Sequence, residues 1–325
     1  MKPTIIQFMP LPDDLVNKLT DHFEVVEVDN LDQETVTQHA EAFSKAEGLI
    51  GSGGKVNEAL LAQMPALKVC STVSAGYDSY DVGALTHHKA ILTNTPGALT
   101  ETVADAMMAL VLCAARNIPA MDQWVKTGGW DAAPEKLPLA IDVHHKKMGI
   151  IGMGRIGLAL AKRAYHGFGM DIIYNARKPH KNAEQEVNAQ YASVEQLLAE
   201  ADFVCVVLPL TDETHHLISH AQFDQMKESA ILVNAGRGPV VDEEALIAAL
   251  KAKKIYGAGL DVFEKEPLVG SSELTKLPNV VTLPHIGSAT HETRYAMKRD
   301  GVENLILGLQ GKLTENIINP EALKA

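Results

Sequence analysis

Residues 147–157, Lys147-Met-Gly-Ile-Ile-Gly152-Met-Gly154-Arg-Ile-Gly157, decide how this chain folds. A short apolar run passes into G-x-G-x-x-G, and the following Leu158-Ala-Leu-Ala-Lys-Arg-Ala has a helical pattern. In that setting the glycines have separate tasks. Gly152 allows the tight turn, Gly154 lets a pyrophosphate approach the backbone, and Gly157 lets helix and strand pack closely. Such a turn aims a helix N-terminus, with its unpaired N–H groups and positive dipole end, at a phosphate. A second apolar run, Asp171-Ile-Ile-Tyr174, completes a βαβ unit, so a dinucleotide site is expected.

The residues after that second run select the dinucleotide. A site for NAD places an Asp or Glu about 20 residues past the first glycine, against the ribose 2′-hydroxyl, whereas a 2′-phosphate needs cations instead. Here the run ends Tyr174-Asn175-Ala176-Arg177-Lys178, with no carboxylate. A unit charge pair at about 4 Å is worth roughly 4 kcal/mol at an effective dielectric near 20, so an acid there would repel the phosphate and Arg177 would attract it. NADPH is the expected cofactor and NAD the alternative, with Arg177 as the main contact and Lys178 or Lys181 as helpers.

Working outward, 325 residues with 46% apolar and 22% charged content describe an ordinary globular chain long enough for two domains. A net charge of −12 without a long basic run argues against nucleic-acid or anionic-membrane partners. Cys70, Cys113 and Cys205 each lie in apolar surroundings and read as small buried hydrophobes in a reducing cytosol. The N-terminal run up to Phe8 is too short for a signal peptide, and no stretch has membrane-spanning length.

The first hundred residues alternate apolar runs (Ile5–Phe8, Val25–Val28, Gly48–Gly51, Lys68–Thr72, Ile91–Asn94) with helical segments from about Asp13, from Asp32 and near Asn57. That rhythm predicts a separate open parallel sheet. Thr100–Asn117 is apolar on most faces, which predicts a long helix capped by Thr100 and buried between domains or subunits. Further strands are expected at Phe203–Leu208, Ala230–Asn234, Tyr256–Leu260 and Val280–Leu283, and a last helix at about Thr290–Leu309 that returns to the first domain. The expected division is 1–99 with 290–325, and 100–289, and two chain crossings predict a hinged cleft.

Three charged residues follow strand-like runs, where loops at the carboxyl edge of a parallel sheet line the ligand crevice. They are Arg237 in Asn234-Ala-Gly-Arg-Gly-Pro, Glu266 in Leu260-Asp-Val-Phe-Glu-Lys-Glu-Pro, and His285 in Leu283-Pro-His-Ile-Gly. A carbonyl that receives a hydride needs a proton donor, a cation to polarise it, and a group that keeps the donor charged. His285, Arg237 and Glu266 suit those roles in that order: a carboxylate beside an imidazole favours imidazolium, and Arg can grip a substrate carboxylate bidentately.

Taken together, the fingerprint, Asn234-Ala-Gly-Arg-Gly, Leu260-Asp-Val-Phe-Glu-x-Glu-Pro and Pro284-His-Ile-Gly-Ser-Ala-Thr resemble the D-isomer-specific 2-hydroxyacid dehydrogenases over the whole length. Tyr174-Asn-Ala-Arg and Gly287-Ser-Ala-Thr-His-Glu-Thr-Arg294 look most like the bacterial glyoxylate/hydroxypyruvate reductase B group, also described as 2-ketogluconate reductases. The resemblance implies an α/β fold of two doubly wound parallel-sheet domains, a central Rossmann domain and a flavodoxin-like substrate domain formed by both chain ends. It implies NADPH-dependent reduction of small 2-oxo acids by a cytoplasmic homodimer, with Arg237, Glu266 and His285 catalytic and the Thr100–Asn117 helix at or near the interface. Cofactor contacts are then expected at Gly152, Gly154, Arg155, Ile156, Gly157, Asn175, Arg177, Lys178, Leu208, Pro209, Thr214, Ala235, Gly236, Asp261 and Gly287. Substrate contacts are expected at Ser74, Ala75 and Gly76, within Val73-Ser-Ala-Gly-Tyr-Asp78, and at Arg237 and Arg294; Trp130 would reach across the dimer. Asp105 stands where the family's Val-Ala-Glu motif has Glu.

Two other functions are open to such a chain. A dinucleotide-sensing, corepressor-like protein has no need of all three charged residues together, and all three are present. A phosphoglycerate dehydrogenase is the nearest enzyme alternative, although no appended regulatory domain is visible. Gly51-Ser-Gly-Gly-Lys55 has the wrong spacing for a P-loop. The His87-His88, His144-His145 and His215-His216 pairs lack nearby carboxylates or Cys in a ligand-like arrangement, so no metal is expected.

Overall fold

A computed structural model of the chain describes residues 2–132, 135 and 139–324. The chain divides into two compact units, Met1–Leu99 with Ala289–Ala325, and Thr100–Ser288. The return to the first unit thus begins at Ala289 rather than residue 290.

In the first unit, strands β1 (Thr4–Gln7), β2 (Glu24–Glu27), β3 (Ala46–Gly51), β4 (Val69–Thr72) and β5 (Ile91–Thr93) form a parallel sheet in the order β2-β1-β3-β4-β5. That is the flavodoxin-like order. The inner strands β3 and β4 are almost wholly buried, as a parallel sheet covered on both faces requires. The helix His291–Leu309, capped by the Thr290 side chain on the Thr293 N–H, packs on β3, β4 and β5. Ser71 Oγ donates to the Gly301 carbonyl (2.8 Å) and Asn304 Nδ2 to that of Asn94 (3.0 Å), so buried polar groups lock this helix to the strands it covers.

The second unit holds β6 (Lys147–Ile151), β7 (Asp171–Asn175), β8 (Gln190–Tyr191), β9 (Phe203–Val206), β10 (Ile231–Asn234), β11 (Gly257–Leu260) and β12 (Val280–Thr282). All pair in parallel, in the order β12-β11-β10-β9-β6-β7-β8. The order reverses direction beside β6, the switch point at which such sheets bind ligands. Because the strands run in parallel, the loops after β6, β7, β9, β10, β11 and β12 all emerge at one edge, and the charged candidates of this unit follow these strands.

Two local expectations are corrected. The segment after Asp32 forms two short helices, Gln33–Gln38 and Ala40–Lys45, broken at His39. Thr100 is the first residue of the helix Thr100–Arg116 rather than its cap, and Asn117 ends it in the left-handed region (φ 52°). That helix packs on the fingerprint helix Arg155–Phe168 and on β10, β11 and β12 of its own unit. Arg163 ties the two helices together through Asp105 (2.7 Å) and Glu101 (2.8 Å).

Cys70 and Cys205 are buried and unpaired, and Cys113 is half-buried. Burial raises all three thiols, that of Cys205 to about 12, which keeps them protonated and unreactive.

Candidate active site

The glycine turn after β6 has the geometry a pyrophosphate requires. At Gly152 (φ +109°) a Cβ would lie 2.4 Å from the Val207 carbonyl oxygen, and at Gly157 it would lie 2.3 Å from that of Gly152, so neither position admits a side chain. At Gly154 a Cβ would meet nothing within 4 Å, which leaves the backbone open on that side. Gly154 is also the N-cap of the fingerprint helix, with no side-chain cap, so the first-turn N–H groups stay available to an anion. Arg155 is exposed and Ile156 half-buried at that terminus.

After β7 the chain forms a tight loop whose apex carries Arg177 and Lys178. Both are exposed and have no hydrogen-bond or ion-pair partner among the described residues. Asn175 is held by its side chain, which donates to the Ala192 carbonyl (2.8 Å). Leu208 and Pro209 follow β9, and the Thr214 hydroxyl closes that loop by donating to the Pro209 carbonyl (2.8 Å) and accepting from Thr211 N–H (2.8 Å). Ala235 and Gly236 follow β10, and a Cβ on Gly236 would lie 2.7 Å from the Leu208 carbonyl oxygen.

Arg237 is half-buried in the loop after β10, shaped by Asn234, whose amide donates to the Arg237 carbonyl (3.0 Å) and accepts from Gly236 N–H (3.1 Å). Gly238 brings this loop against the one after β11, since a Cβ there would lie 1.8 Å from the Phe263 carbonyl oxygen. Glu266 closes the β11 loop, accepting Phe263 N–H on Oε1 (3.1 Å). Its Oε2 accepts from His285 Nδ1 (2.7 Å), which joins two residues separated by a strand. With Nδ1–H committed to the carboxylate, His285 Nε2 is the ring nitrogen left to serve a ligand.

Asp261 has a role that sequence reasoning missed. Expected as a cofactor contact, it is buried with its two oxygens accepting the N–H groups of Ile286 (2.7 Å) and Gly287 (2.8 Å). These are the two residues after His285, which itself sits in the left-handed region (φ 54°). Such a conformation costs a non-glycine residue about 1–3 kcal/mol and persists where surrounding bonds over-determine it. Burial raises the Asp261 carboxyl above its ordinary value, against the opposing effect of its two N–H donors.

In the first unit, Ser74, Ala75 and Gly76 follow β4 in a half-exposed bend. Thr95 N–H and the Asn94 amide hold the carbonyls of Ser74 (2.9 Å) and Ala75 (2.8 Å), so the bend is anchored through its acceptors. Arg294 is exposed on the first turn of the last helix and lines a small cavity with Pro12, His291 and Lys298.

One sequence reading is corrected by tertiary structure. His216 does have carboxylates around it: the ligand atoms of His216, Asp242 and Glu264 all lie within 4.8 Å of one another. No spacing reveals this, because the three residues come from the loops after β9, β10 and β11. Asp242 already caps the helix Glu243–Lys251 through Ala245 N–H (3.0 Å) and accepts from Ser219 (2.7 Å), and Glu264 is bonded to His216 (2.6 Å), so the cluster is accounted for as a capping network.

The same stretch of chain matches the family described as "D-isomer specific 2-hydroxyacid dehydrogenase, NAD binding domain" over residues 108–287. The chain belongs to the D-isomer-specific 2-hydroxyacid dehydrogenases and is an NAD(P)-dependent dehydrogenase. It is 58% identical over 321 residues to the glyoxylate/hydroxypyruvate reductase B of Klebsiella pneumoniae strain 342, with 99% of each chain covered. With the protein of the same name from Escherichia fergusonii it shares 56% identity over 324 residues, the full length of both. Among solved structures it is similar to the NADPH-dependent glyoxylate/hydroxypyruvate reductase of Sinorhizobium meliloti in complex with NADP and malonate. There the TM-score is 0.88 and the identity 32%, over 99% of this chain and 98% of that one.

Proposed function

We propose that this dehydrogenase reduces small 2-oxo acids, glyoxylate to glycolate and hydroxypyruvate to D-glycerate, with 2-keto-D-gluconate as a further substrate. NADPH is the preferred reductant and NADH the weaker one. The observation that carries this reading is the Glu266–His285 hydrogen bond (2.7 Å) at the ends of adjacent strands, on the sheet edge that also presents Arg237 and the glycine turn.

When bound, the reduced nicotinamide supplies the hydride. His285 donates the proton to the carbonyl oxygen from Nε2, and Glu266 holds Nδ1–H so that the ring keeps its orientation and its positive charge finds a counter-charge. Arg237 binds the substrate carboxylate and polarises the carbonyl. Asp261 fixes the backbone after His285. The glycine turn, with Arg155 and Ile156, holds the pyrophosphate. Leu208, Pro209, Thr214, Ala235, Gly236 and Gly287 line the remaining cofactor site, and Asn175, Arg177 and Lys178 take the adenosine 2′-phosphate. The N–H groups of Ser74, Ala75 and Gly76 receive the substrate carboxylate, and Arg294 a substrate hydroxyl.

The protein acts as a cytoplasmic homodimer in this reading. Exposed Ile118, Val125 and Trp130 on the consecutive helices Ile118–Lys126 and Gly129–Ala132 support a dimer face. A panel of 2-oxo acids assayed with NADPH and NADH, followed at the nicotinamide absorbance, tests the function. Turnover of glyoxylate and hydroxypyruvate with a higher kcat/KM for NADPH is expected, and NADH preference or absent turnover overturns it.

A further inference from the structure

Two tyrosine hydroxyls hold the ends of the loop that carries Arg177, and we propose that Tyr174 and Tyr191 are positioning residues for recognition of the 2′-phosphate of NADPH. The inference rests on the reading that Arg177 is the 2′-phosphate contact.

Tyr174 lies in β7 and is fully buried. Phenylalanine would fill that space equally well, so the hydroxyl needs a reason of its own. It accepts the His180 N–H (2.7 Å) and donates to Glu184 Oε1 (2.9 Å), which fixes the far end of the loop to the first turns of the helix Lys181–Val187. Burial, joined by the Glu184 carboxylate, raises this hydroxyl above its ordinary value, so it remains a donor. Tyr191, in the neighbouring strand β8, donates its hydroxyl to the Ala176 carbonyl (3.1 Å) and fixes the near end. The two rings meet edge-on, 5.5 Å apart at 66°, so the clamps brace each other.

Arg177 and Lys178 project between these anchors as free, exposed cations. A long cationic side chain gains little from an anion if the backbone beneath it must first be ordered, because the ordering entropy is lost at the moment of binding. A loop anchored by hydroxyls at both ends has met that cost during folding. The two tyrosines therefore act on the phosphate through the loop, without touching it, and a ligand lacking the 2′-phosphate gains nothing from them.

The test is calorimetric titration of NADP+ and of NAD+ into wild type, Tyr174→Phe, Tyr191→Phe and Arg177→Ala, which needs no turnover. Losing one such hydrogen bond corresponds to about a fivefold change, so Tyr174→Phe is expected to weaken NADP+ by about five- to tenfold and Tyr191→Phe by about two- to threefold. NAD+ should shift by less than about twofold in both, because the effect runs through the phosphate contact. Amide exchange at His180 should accelerate in Tyr174→Phe, and KM for NADPH should rise more than kcat falls. Tyr191 is exposed, so its variant tests the clamp even if Tyr174→Phe folds poorly. Equal weakening of NADP+ and NAD+, or wild-type NADP+ affinity in both tyrosine variants, overturns the inference while an Arg177→Ala effect leaves the underlying reading intact. Unchanged NADP+ affinity in Arg177→Ala overturns that reading and this inference with it.

Discussion

The second unit contains two histidine–glutamate pairs that are nearly the same in local geometry and opposite in what surrounds them. His285 Nδ1 meets Glu266 at 2.7 Å and His216 Nε2 meets Glu264 at 2.6 Å, the two glutamates share one loop, and both histidines have left-handed backbones (φ 54° and 51°). Glu264 passes its bonding on to a helix terminus: its Oε1 also accepts the Glu243 N–H (3.3 Å) and its own N–H donates to Glu243 Oε2 (3.2 Å). Glu266 ends its chain of bonds on the imidazole, and the buried Asp261 clamps the next two amides. The pair distance alone therefore does not distinguish the two histidines. What separates the two is whether the surrounding bonds run on to a helix terminus, as at Glu264, or end on the ring and the backbone that follows it, as at Glu266 and Asp261.

The sharpest way to break this contrast is to delete the rings. His285→Ala, and Arg237→Ala beside it, should each lower kcat/KM with glyoxylate or hydroxypyruvate by at least about 10²-fold, the usual contribution of a general acid or an electrostatic anchor. A near wild-type rate in either variant removes its assigned role. Glu266→Gln keeps the shape of the pair and removes the charge, and should cost about 10- to 100-fold in kcat/KM with little change in Tm. An effect on Tm without one on kcat/KM would make Glu266 another Glu264.

Asp261→Asn tests the clamp. An amide in place of the carboxylate turns a donor toward one of the two backbone N–H groups, leaving a buried donor unsatisfied at a cost of about 1–3 kcal/mol. Thermal unfolding should register that loss, and kcat/KM should fall about tenfold as His285 loses its support. The smallest catalytic effect belongs to the decoy pair: His216→Ala should leave kcat/KM within about threefold of wild type and lower stability by about 1 kcal/mol, seen as a drop in Tm of a few degrees. A loss of activity there comparable with that of His285→Ala would erase the distinction.

Much of this was legible along the chain because parallel α/β units repeat a local rhythm. The glycines of 152–157, the strand endings at Asn234 and Leu260, and the acid-free end of β7 each declare themselves within a few residues. The last helix, expected from about Thr290, begins at His291 with Thr290 as its cap. The break at His39, the short strand β8 and the helix Val194–Glu200 carry weak periodic signals and depend on packing. The capping network around His216 and the grip of Asp261 on Ile286 and Gly287 were illegible, since their partners lie tens of residues apart.

From its order of residues alone this chain specified a βαβ nucleotide turn, cationic residues where a NAD site has an acid, and three charged residues that follow strands, because those features depend on side-chain periodicity and on what glycine, arginine and proline permit locally. Only the folded arrangement decided which glutamate meets which histidine, that Asp261 supports a strained backbone, and that two tyrosine hydroxyls steady the loop under Arg177. Hydrogen bonds act over about 3 Å. Strand order in the sheet, which pattern along the chain does not encode, determines which distant groups come within that range.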